Sequence, residues 1–201
     1  MAVQLLVATT NPGKLREIRA LLGDSLVELV SLADLASVEA PEETGLTFED
    51  NARLKARYYA TRTGLLTVAE DSGLRIDALD GEPGVHSARF ISPDTSYAER
   101  FAEIHRRLAL RPTSEPGARF VCALAVARNE TVIFETTQCI EGTIAAEPRG
   151  AGGFGYDPIF FFPPFGRTLA EVTQEEKLRV AHRGKAFREL AGWLKTLAQN
   201  R

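Results

Sequence analysis

An apolar run, Leu65-Leu66-Thr67-Val68-Ala69, passes directly into Glu70-Asp71-Ser72-Gly73, and no other feature constrains the fold of this 201-residue chain as much. A short apolar run between Gly64 and Gly73 reads as a buried strand, and open α/β sheets bind ligands at the carboxyl ends of their strands. The expectation is a strand that ends at the acids, with the carboxylates in the turn that follows. Adjacent ionised carboxylates repel, so a cation, a hydrogen-bond network or a shared proton must offset them. A bound metal is the functional reading, and an acidic surface loop is the plainer one.

The N-terminus repeats the pattern of strand, loop and helix. Residues 3–8 predict a strand, Thr9-Thr10-Asn11-Pro12-Gly13-Lys14 a tight polar turn, and residues 15–22 an amphipathic helix with Leu15, Ile18, Leu21 and Leu22 on one face. Such a loop aims backbone N–H groups and the positive end of the helix dipole at a ligand, for which phosphate is the usual guest, and Lys14 adds a full charge. The likeness to a Walker A loop is incomplete. Ala8 replaces its first glycine, and Leu15 after the lysine has no hydroxyl for Mg²⁺, which argues against a P-loop NTPase. The alternative here is a capped turn with Lys14 as a solvated charge.

Thr47 followed by Asp50 marks a helix start, and the expected helix covers residues 48–61, with Gly64 as its stop. Asn51 and Lys55 are four apart and share a face, from which a second ammonium could reach a polyphosphate. Glu43, just ahead of the helix, is the candidate second acidic ligand for a metal held by Asp71. The ordinary reading is a surface helix with a Glu49–Arg53 ion pair and a solvated Lys55.

Near the C-terminus, Gly150-Ala151-Gly152-Gly153-Phe154-Gly155-Tyr156-Asp157-Pro158 contains G-x-G-x-x-G. A dinucleotide fingerprint needs a helix immediately afterwards, whereas here Asp157-Pro158 leads into the apolar run Ile159-Phe160-Phe161-Phe162. The glycines instead read as letting backbone approach a flat ligand, with Phe154 offering a ring face for stacking. Lys177 and His182-Arg183-Gly184-Lys185 place donors near a helix end; alone they read as a basic helix with a solvated face.

Taken in order, Thr9 to Lys14, Glu43-Thr44-Gly45 with Asn51 and Lys55, Glu70 to Gly73, Pro83-Gly84 with Ser87-Ala88-Arg89, Gly152 to Pro158, and His182 to Lys185 resemble the inosine triphosphate pyrophosphatase family, from about residue 3 to about residue 195. The resemblance implies Mg²⁺-dependent hydrolysis of ITP, dITP and XTP to the monophosphate and pyrophosphate. It also implies a homodimer and an elongated α/β fold, a mixed sheet in two lobes with flanking helices and a central nucleotide-binding cleft. Two positions depart from the family pattern: Glu70 where many members carry Asp, and Ala181 where Ser is common.

On that resemblance Asp71 is the catalytic base, and Glu43 and Asp71 hold Mg²⁺. Thr9, Thr10, Asn11, Pro12, Gly13, Lys14 and Lys55 bind the triphosphate, and Ser72 hydrogen-bonds the nucleotide. Phe154, Gly155 and Tyr156 bind the substrate as well, with Phe154 stacking on the base and Asp157 and Lys177 fixing its edge. His182 and Arg183 read the oxygen at purine position 6.

Composition sets the limits. A chain of this length buries roughly 70% of its unfolded surface and can form one domain, taken as residues 1–201. Lys and Arg total 24 against 27 Asp and Glu, with no basic block, so nucleic acid is not the expected partner. Cys122 and Cys139, both in apolar strand-like runs, read as reduced buried thiols. No apolar run approaches the ~20 residues of a membrane span, and no signal peptide is visible, so a cytoplasmic protein is expected.

Elsewhere the pattern builds scaffold. Ser96 with Glu99 opens a helix that buries Phe101, Ile104 and Leu108 and stops before Pro112, with His105 on its surface. Residues 119–127 and 132–138 read as a hairpin, and residues 139–146 as a further strand. The last helix, residues 184–198, buries Phe187, Leu190, Leu194 and Leu197. Phe160-Phe161-Phe162 and Phe165 read as core, with a dimer contact as the alternative. Three rival functions remain distinguishable by assay: a pyrophosphatase for other modified nucleotides, a non-catalytic nucleotide-binding regulator, and an RNA-binding α/β module.

Overall fold

The computed structural model of the protein describes residues 4–23, 27–35, 38–111 and 116–199; Val3 and Pro112, which the sequence places at an element's edge, lie outside them. In chain order the elements are β1 (Gln4–Val7), α1 (Pro12–Leu22), β2 (Glu28–Ser31), α2 (Phe48–Thr63), β3 (Leu66–Ile76), α3 (Tyr97–Leu108), β4 (Gly117–Arg128), β5 (Thr131–Ile144), β6 (Phe160–Phe162), β7 (Arg167–Thr168), α4 (Gln174–Val180) and α5 (His182–Gln199). The strands form one mixed sheet in the order β2-β1-β3-β4-β5-β6-β7. β1 runs parallel to β2 and β3, and β6 runs antiparallel to β5 and β7.

The chain divides into two compact units: residues 1–71, 122–138 and 182–201, and residues 72–121 and 139–181. Within the first, Leu5 and Val7 of β1, Ile18 and Leu22 of α1, Val68 of β3 and Phe187 and Leu190 of α5 share a core. Within the second, Leu74 and Ile76 of β3, Phe101 and Ile104 of α3 and Phe160 of β6 share another. No helix among the described residues is long and apolar enough to cross a membrane.

Local signals set the helix ends where they are strong. Thr47 Oγ1 accepts from Asp50 N at 3.1 Å and starts α2 as expected, and Gly64, at φ 69°, ends it two residues later than the pattern alone indicates. Ser96 and Glu99 form a reciprocal capping box on α3. α1 begins at Pro12 rather than Leu15, because Asn11 Oδ1 accepts from Gly13 N at 2.9 Å and Lys14 N at 3.1 Å. Half of the expected polar turn is therefore the first turn of a helix.

The largest correction concerns the acids. β3 does not end at Ala69: it runs through Glu70, Asp71, Ser72 and Gly73 to Ile76. Gly73 is extended rather than turning. A Cβ on it would overlap Ser87 Oγ and lie 2.7 Å from Gly84 O, so glycine admits a close neighbour there. That neighbour is fixed, since Ser87 Oγ accepts from Leu74 N at 2.9 Å and donates to Gly84 O at 2.6 Å.

Other expectations also change. Residues 139–146 are not a separate strand: β5 continues unbroken to Ile144, with no turn-forming residue between Thr131 and Glu141. Cys122 is buried but Cys139 is exposed, and neither forms a disulfide. His105 is no plain surface residue, for its Nε2 lies 2.8 Å from Ala145 O. Arg53 pairs with Glu135 at 2.7 Å rather than with Glu49, which accepts from Thr137 Oγ1 at 2.8 Å. Phe160 is core, its ring centroid 4.6 Å from that of Phe120, and Leu197 is only half buried on α5.

Candidate active site

Within the first unit, one ammonium stands between two carboxylates. Lys55 Nζ donates to Glu43 Oε1 at 2.7 Å and to Asp71 Oδ1 at 3.1 Å. Asn51, one turn earlier on α2, donates from Nδ2 to Asp71 Oδ2 at 3.2 Å. The i, i+4 spacing that puts Asn51 and Lys55 on one helix face thus grips both oxygens of one carboxylate on β3. Burial pushes the Asp71 pKa above its usual value, with Lys55 and Lys14 opposing and Glu43 adding to the rise. Burial works against the Lys55 ammonium too, but Asp71 and Glu43 together outweigh it and hold Lys55 protonated. The balance thus differs at the two partners: burial outweighs the cations at Asp71, whereas two acids together outweigh burial at Lys55.

Beside this cluster lies a deeper one. Arg183, 2% exposed, donates from Nε to Glu70 Oε1 at 2.9 Å and from Nη1 to Glu17 Oε2 at 2.6 Å. Lys14 Nζ is 3.3 Å from Glu70 Oε1, and Cys122 Sγ is 3.3 Å from Glu70 Oε2. Burial alone would raise the Glu70 pKa; Arg183 and Lys14 overcome it and hold the carboxylate well below the usual range. Adjacent acids on β3 therefore differ: Arg183 and Lys14 hold Glu70 ionised against its burial, whereas burial outweighs the cations at Asp71 and pushes its carboxyl up.

The two acids around Lys55 fit a divalent metal by their donor chemistry. Glu43 and Asp71 supply the hard carboxylate oxygens that Mg²⁺ prefers, and Mg²⁺ commonly takes one or two carboxylates and completes its shell with water and substrate phosphates. No group of three or more His, Cys, Asp or Glu side chains among the described residues is arranged to enclose a metal.

The N-terminal loop satisfies most of its own backbone. Thr9 N donates to Val7 O, Asn11 N to Thr9 Oγ1, and Gly13 N and Lys14 N to Asn11 Oδ1, while Pro12 has no N–H. The expected backbone cradle is thus already capped, and the loop's groups for a phosphate are side chains: the exposed Thr10, the Asn11 amide nitrogen and Lys14.

Within the second unit, Phe154 is held by an ion pair. Lys177 Nζ and Asp157 Oδ2 are 2.5 Å apart with both side chains buried, Phe154 N donates to Asp157 Oδ2 at 2.7 Å, and Lys177 Nζ lies 4.6 Å from the Phe154 ring centroid. Gly153, at φ 68°, is required because a Cβ would overlap that same carboxylate oxygen. Tyr156 OH donates to Ser87 O at 2.8 Å, and burial raises its pKa. The arrangement presents a ring whose backbone and one face are fixed by charge.

The sequence-predicted residues accordingly fall into two sets. Glu43, Lys55 and Asp71 meet in one cluster, with Lys14 and Arg183 on its Glu70 neighbour; Phe154, Asp157 and Lys177 meet in the other. The solvated basic face expected for Lys177, His182 and Arg183 does not exist, since all three are buried. Asp157 and Lys177 pair with each other under Phe154, and Arg183 spends Nε and Nη1 on carboxylates. Ser72 is half buried on β3, directly after Asp71. Sequence reasoning missed Glu17, a buried carboxylate on a helix whose pattern shows only its apolar stripe, and it noted Asn51 only for its shared face with Lys55.

A family model for the Ham1 family matches residues 5–193. The dITP/XTP pyrophosphatase of Halalkalibacterium halodurans is 46% identical over 191 residues, covering 94% of this chain and 97% of the relative. That of Yersinia pseudotuberculosis is 46% identical over 189 residues, covering 92% and 94%. Among solved structures, a HAM1 protein from Coxiella burnetii superposes with a TM-score of 0.90 at 40% identity, covering 96% of this chain and 99% of that one. The Ham1 protein of Staphylococcus aureus gives 0.86 at 32% identity, covering 96% and 98%. With a match across nearly its whole length, the chain belongs to the Ham1 family.

Proposed function

We infer that this protein is a hydrolase that cleaves non-canonical purine nucleoside triphosphates of the dITP and XTP type to the monophosphate and pyrophosphate, clearing them from the cytoplasmic nucleotide pool. The observation that carries the reading is the Glu43–Lys55–Asp71 cluster, two hard carboxylates set about one ammonium, in a chain so similar to dITP/XTP pyrophosphatases. Mg²⁺ held by Glu43 and Asp71 would, when bound, offset charge on the triphosphate oxygens.

Asp71 accepts the proton of the attacking water as that water adds to the α-phosphorus. Burial suits it to the task, since a raised pKa makes the carboxylate a stronger base. Lys55 and Lys14 offset charge on the triphosphate, with Thr9, Thr10, Asn11, Pro12 and Gly13 forming the loop beside it. Ser72 hydrogen-bonds the nucleotide. Phe154 stacks on the base, with Gly155 and Tyr156 as the segment that carries it, while Asp157 and Lys177 hold Phe154 in place. His182 and Arg183 supply donors toward the oxygen at purine position 6, with Arg183 anchored by Glu70 and Glu17. The working form is a homodimer.

A panel of dITP, XTP, ITP, dATP, ATP and GTP assayed for pyrophosphate release with Mg²⁺ tests the reading. Rapid release from the first three supports it. Binding of dITP with no turnover under any divalent metal would leave a nucleotide-binding regulator instead.

A further inference from the structure

Asn51 is wholly buried in the first turn of α2 and bridges segments distant in sequence. Its Oδ1 accepts from Gly45 N at 2.8 Å, and its Nδ2 donates to Asp71 Oδ2 at 3.2 Å and to Gly45 O at 3.4 Å. Gly45 is two residues from Glu43. We propose that Asn51 is a positioning residue: its carboxamide holds Asp71 by one oxygen and the Glu43 segment by its backbone, so that the two acids form one preset cation site.

The geometry explains why an amide is needed. The terminal torsion of an aspartate is soft and roughly two-fold, so one contact leaves the carboxylate free to swing. Here its two oxygens have separate donors, Lys55 on Oδ1 and Asn51 on Oδ2, from successive turns of one helix. Asn51 must accept from Gly45 and donate to Asp71 at once, which neither a carboxylate nor an alkyl group can do. Gly45 is matched to it. A Cβ there would lie 2.6 Å from Asn51 Oδ1 and 2.9 Å from Asn51 N, so only glycine lets the segment dock on the amide.

The inference rests on the assignment of Glu43 and Asp71 as the metal-holding pair. Groups that orient metal ligands are commonly worth about 10- to 100-fold in metal affinity or activity. The test uses Asn51→Ala, which removes the bridge, and Gly45→Ala, which displaces it while keeping every side chain of the cluster. Each is titrated with Mn²⁺ alone by calorimetry, without nucleotide, and assayed with dITP. Both variants should weaken Mn²⁺ binding by about 10- to 100-fold and lower kcat, with KM for dITP nearly unchanged. Should Asn51→Ala fail to fold, Gly45→Ala carries the test. Wild-type Mn²⁺ affinity and kcat in the folded variants, or a loss confined to KM, would overturn the proposal. Glu43→Gln and Asp71→Asn are run alongside. If these two also bind Mn²⁺ like the wild type, the metal assignment itself fails; if they lose it and the Asn51 and Gly45 variants do not, only the role of Asn51 fails.

Discussion

Arg183 on α5 and Glu17 on α1 meet through a 2.6 Å ion pair in which each side chain is only 2% exposed. Glu70 on β3 takes the same guanidinium at 2.9 Å, so three elements of the first unit converge on one residue. Taking these charges out of water is costly, and a buried triad is weak evidence for stability in itself. Its effect is to tie the start of α5, and with it His182, to the strand that carries Asp71.

Removing Arg183 strands two buried carboxylates. Arg183→Ala should lose about 3–5 kcal/mol of folding stability, the usual range for breaking a buried pair by deleting one partner. Arg183→Lys should lose less but still fall below wild type, because one ammonium cannot reproduce the two-carboxylate grip of a guanidinium. Urea denaturation decides it, and an Arg183→Ala loss below about 1 kcal/mol would mean that the carboxylates find other compensation.

How legible this arrangement was depended on sequence distance. The caps at Thr47 and Ser96 act over three residues and were readable as motifs. The hydrophobic stripes of α1, α3 and α5 follow the helical period and were readable too. Arg183 and Glu17 are 166 positions apart, and Lys177 and Asp157 are 20 apart. Taken alone, Lys177 and Arg183 read as solvated charges, because the partner of each lies outside any local window. Gly73 misled for another reason: glycine marks a turn when the backbone needs positive φ, but at Gly73 it marks space for Ser87. The motif resemblance takes Glu70 and Asp71 together, and only the fold separates Glu70, held ionised by Arg183 and Lys14, from Asp71, whose carboxyl burial pushes up.

That separation predicts a trade between stability and activity. An acid whose pKa the fold raises is disfavoured in its charged form, so above the unfolded Asp value of about 3.9 it costs stability as pH rises through its folded pKa. Asp71→Asn should therefore match or exceed the wild-type melting temperature at neutral pH while losing turnover. A clearly lower melting temperature would show that the Lys55 and Asn51 contacts outweigh the burial cost.

Glu70 has the opposite sign. Its folded pKa lies below the unfolded Glu value of about 4.3, so its contribution is complete above that pH and is lost as pH falls below it. Stability measured by urea unfolding should decline below about pH 4.3, and Glu70→Gln should flatten that decline. An unchanged acid limb in Glu70→Gln would assign the decline to other carboxylates.

Lys14 and Lys55 differ in what they already hold, and their variants should differ too. Lys55 serves both Glu43 and Asp71, so Lys55→Ala should lower kcat sharply as well as raise KM for dITP. Lys14 has Glu70 as its acidic partner, which keeps Arg183 when Lys14 is removed, so Lys14→Ala should act more on KM. Pyrophosphate should be the product in every variant that turns over. Orthophosphate released stepwise would place attack at the γ-phosphorus and refute the α-phosphorus mechanism.

Base selectivity tests the second cluster and the donors of His182 and Arg183 together. The oxygen at purine position 6 in ITP, dITP and XTP accepts hydrogen bonds, whereas the amino group of adenine donates them. Donors fixed by buried partners, as Arg183 is by Glu17 and Glu70, cannot turn away to suit an amino group, and a donor left facing another donor is expensive. Sites built around a required polar contact reject a ligand that fails to make it by ~10⁴-fold or more, far beyond what shape gives. The expected kcat/KM for dITP and XTP is therefore well above that for dATP and ATP. Phe154→Ala should lower kcat/KM for all of them while leaving the ratio nearly intact, because stacking is indifferent to the group at position 6. Asp157→Asn should act in the same way, by loosening the 2.7 Å contact that fixes the Phe154 backbone. Equal turnover of dATP and dITP by the wild-type protein would remove the donor argument and leave a general nucleotide pyrophosphatase.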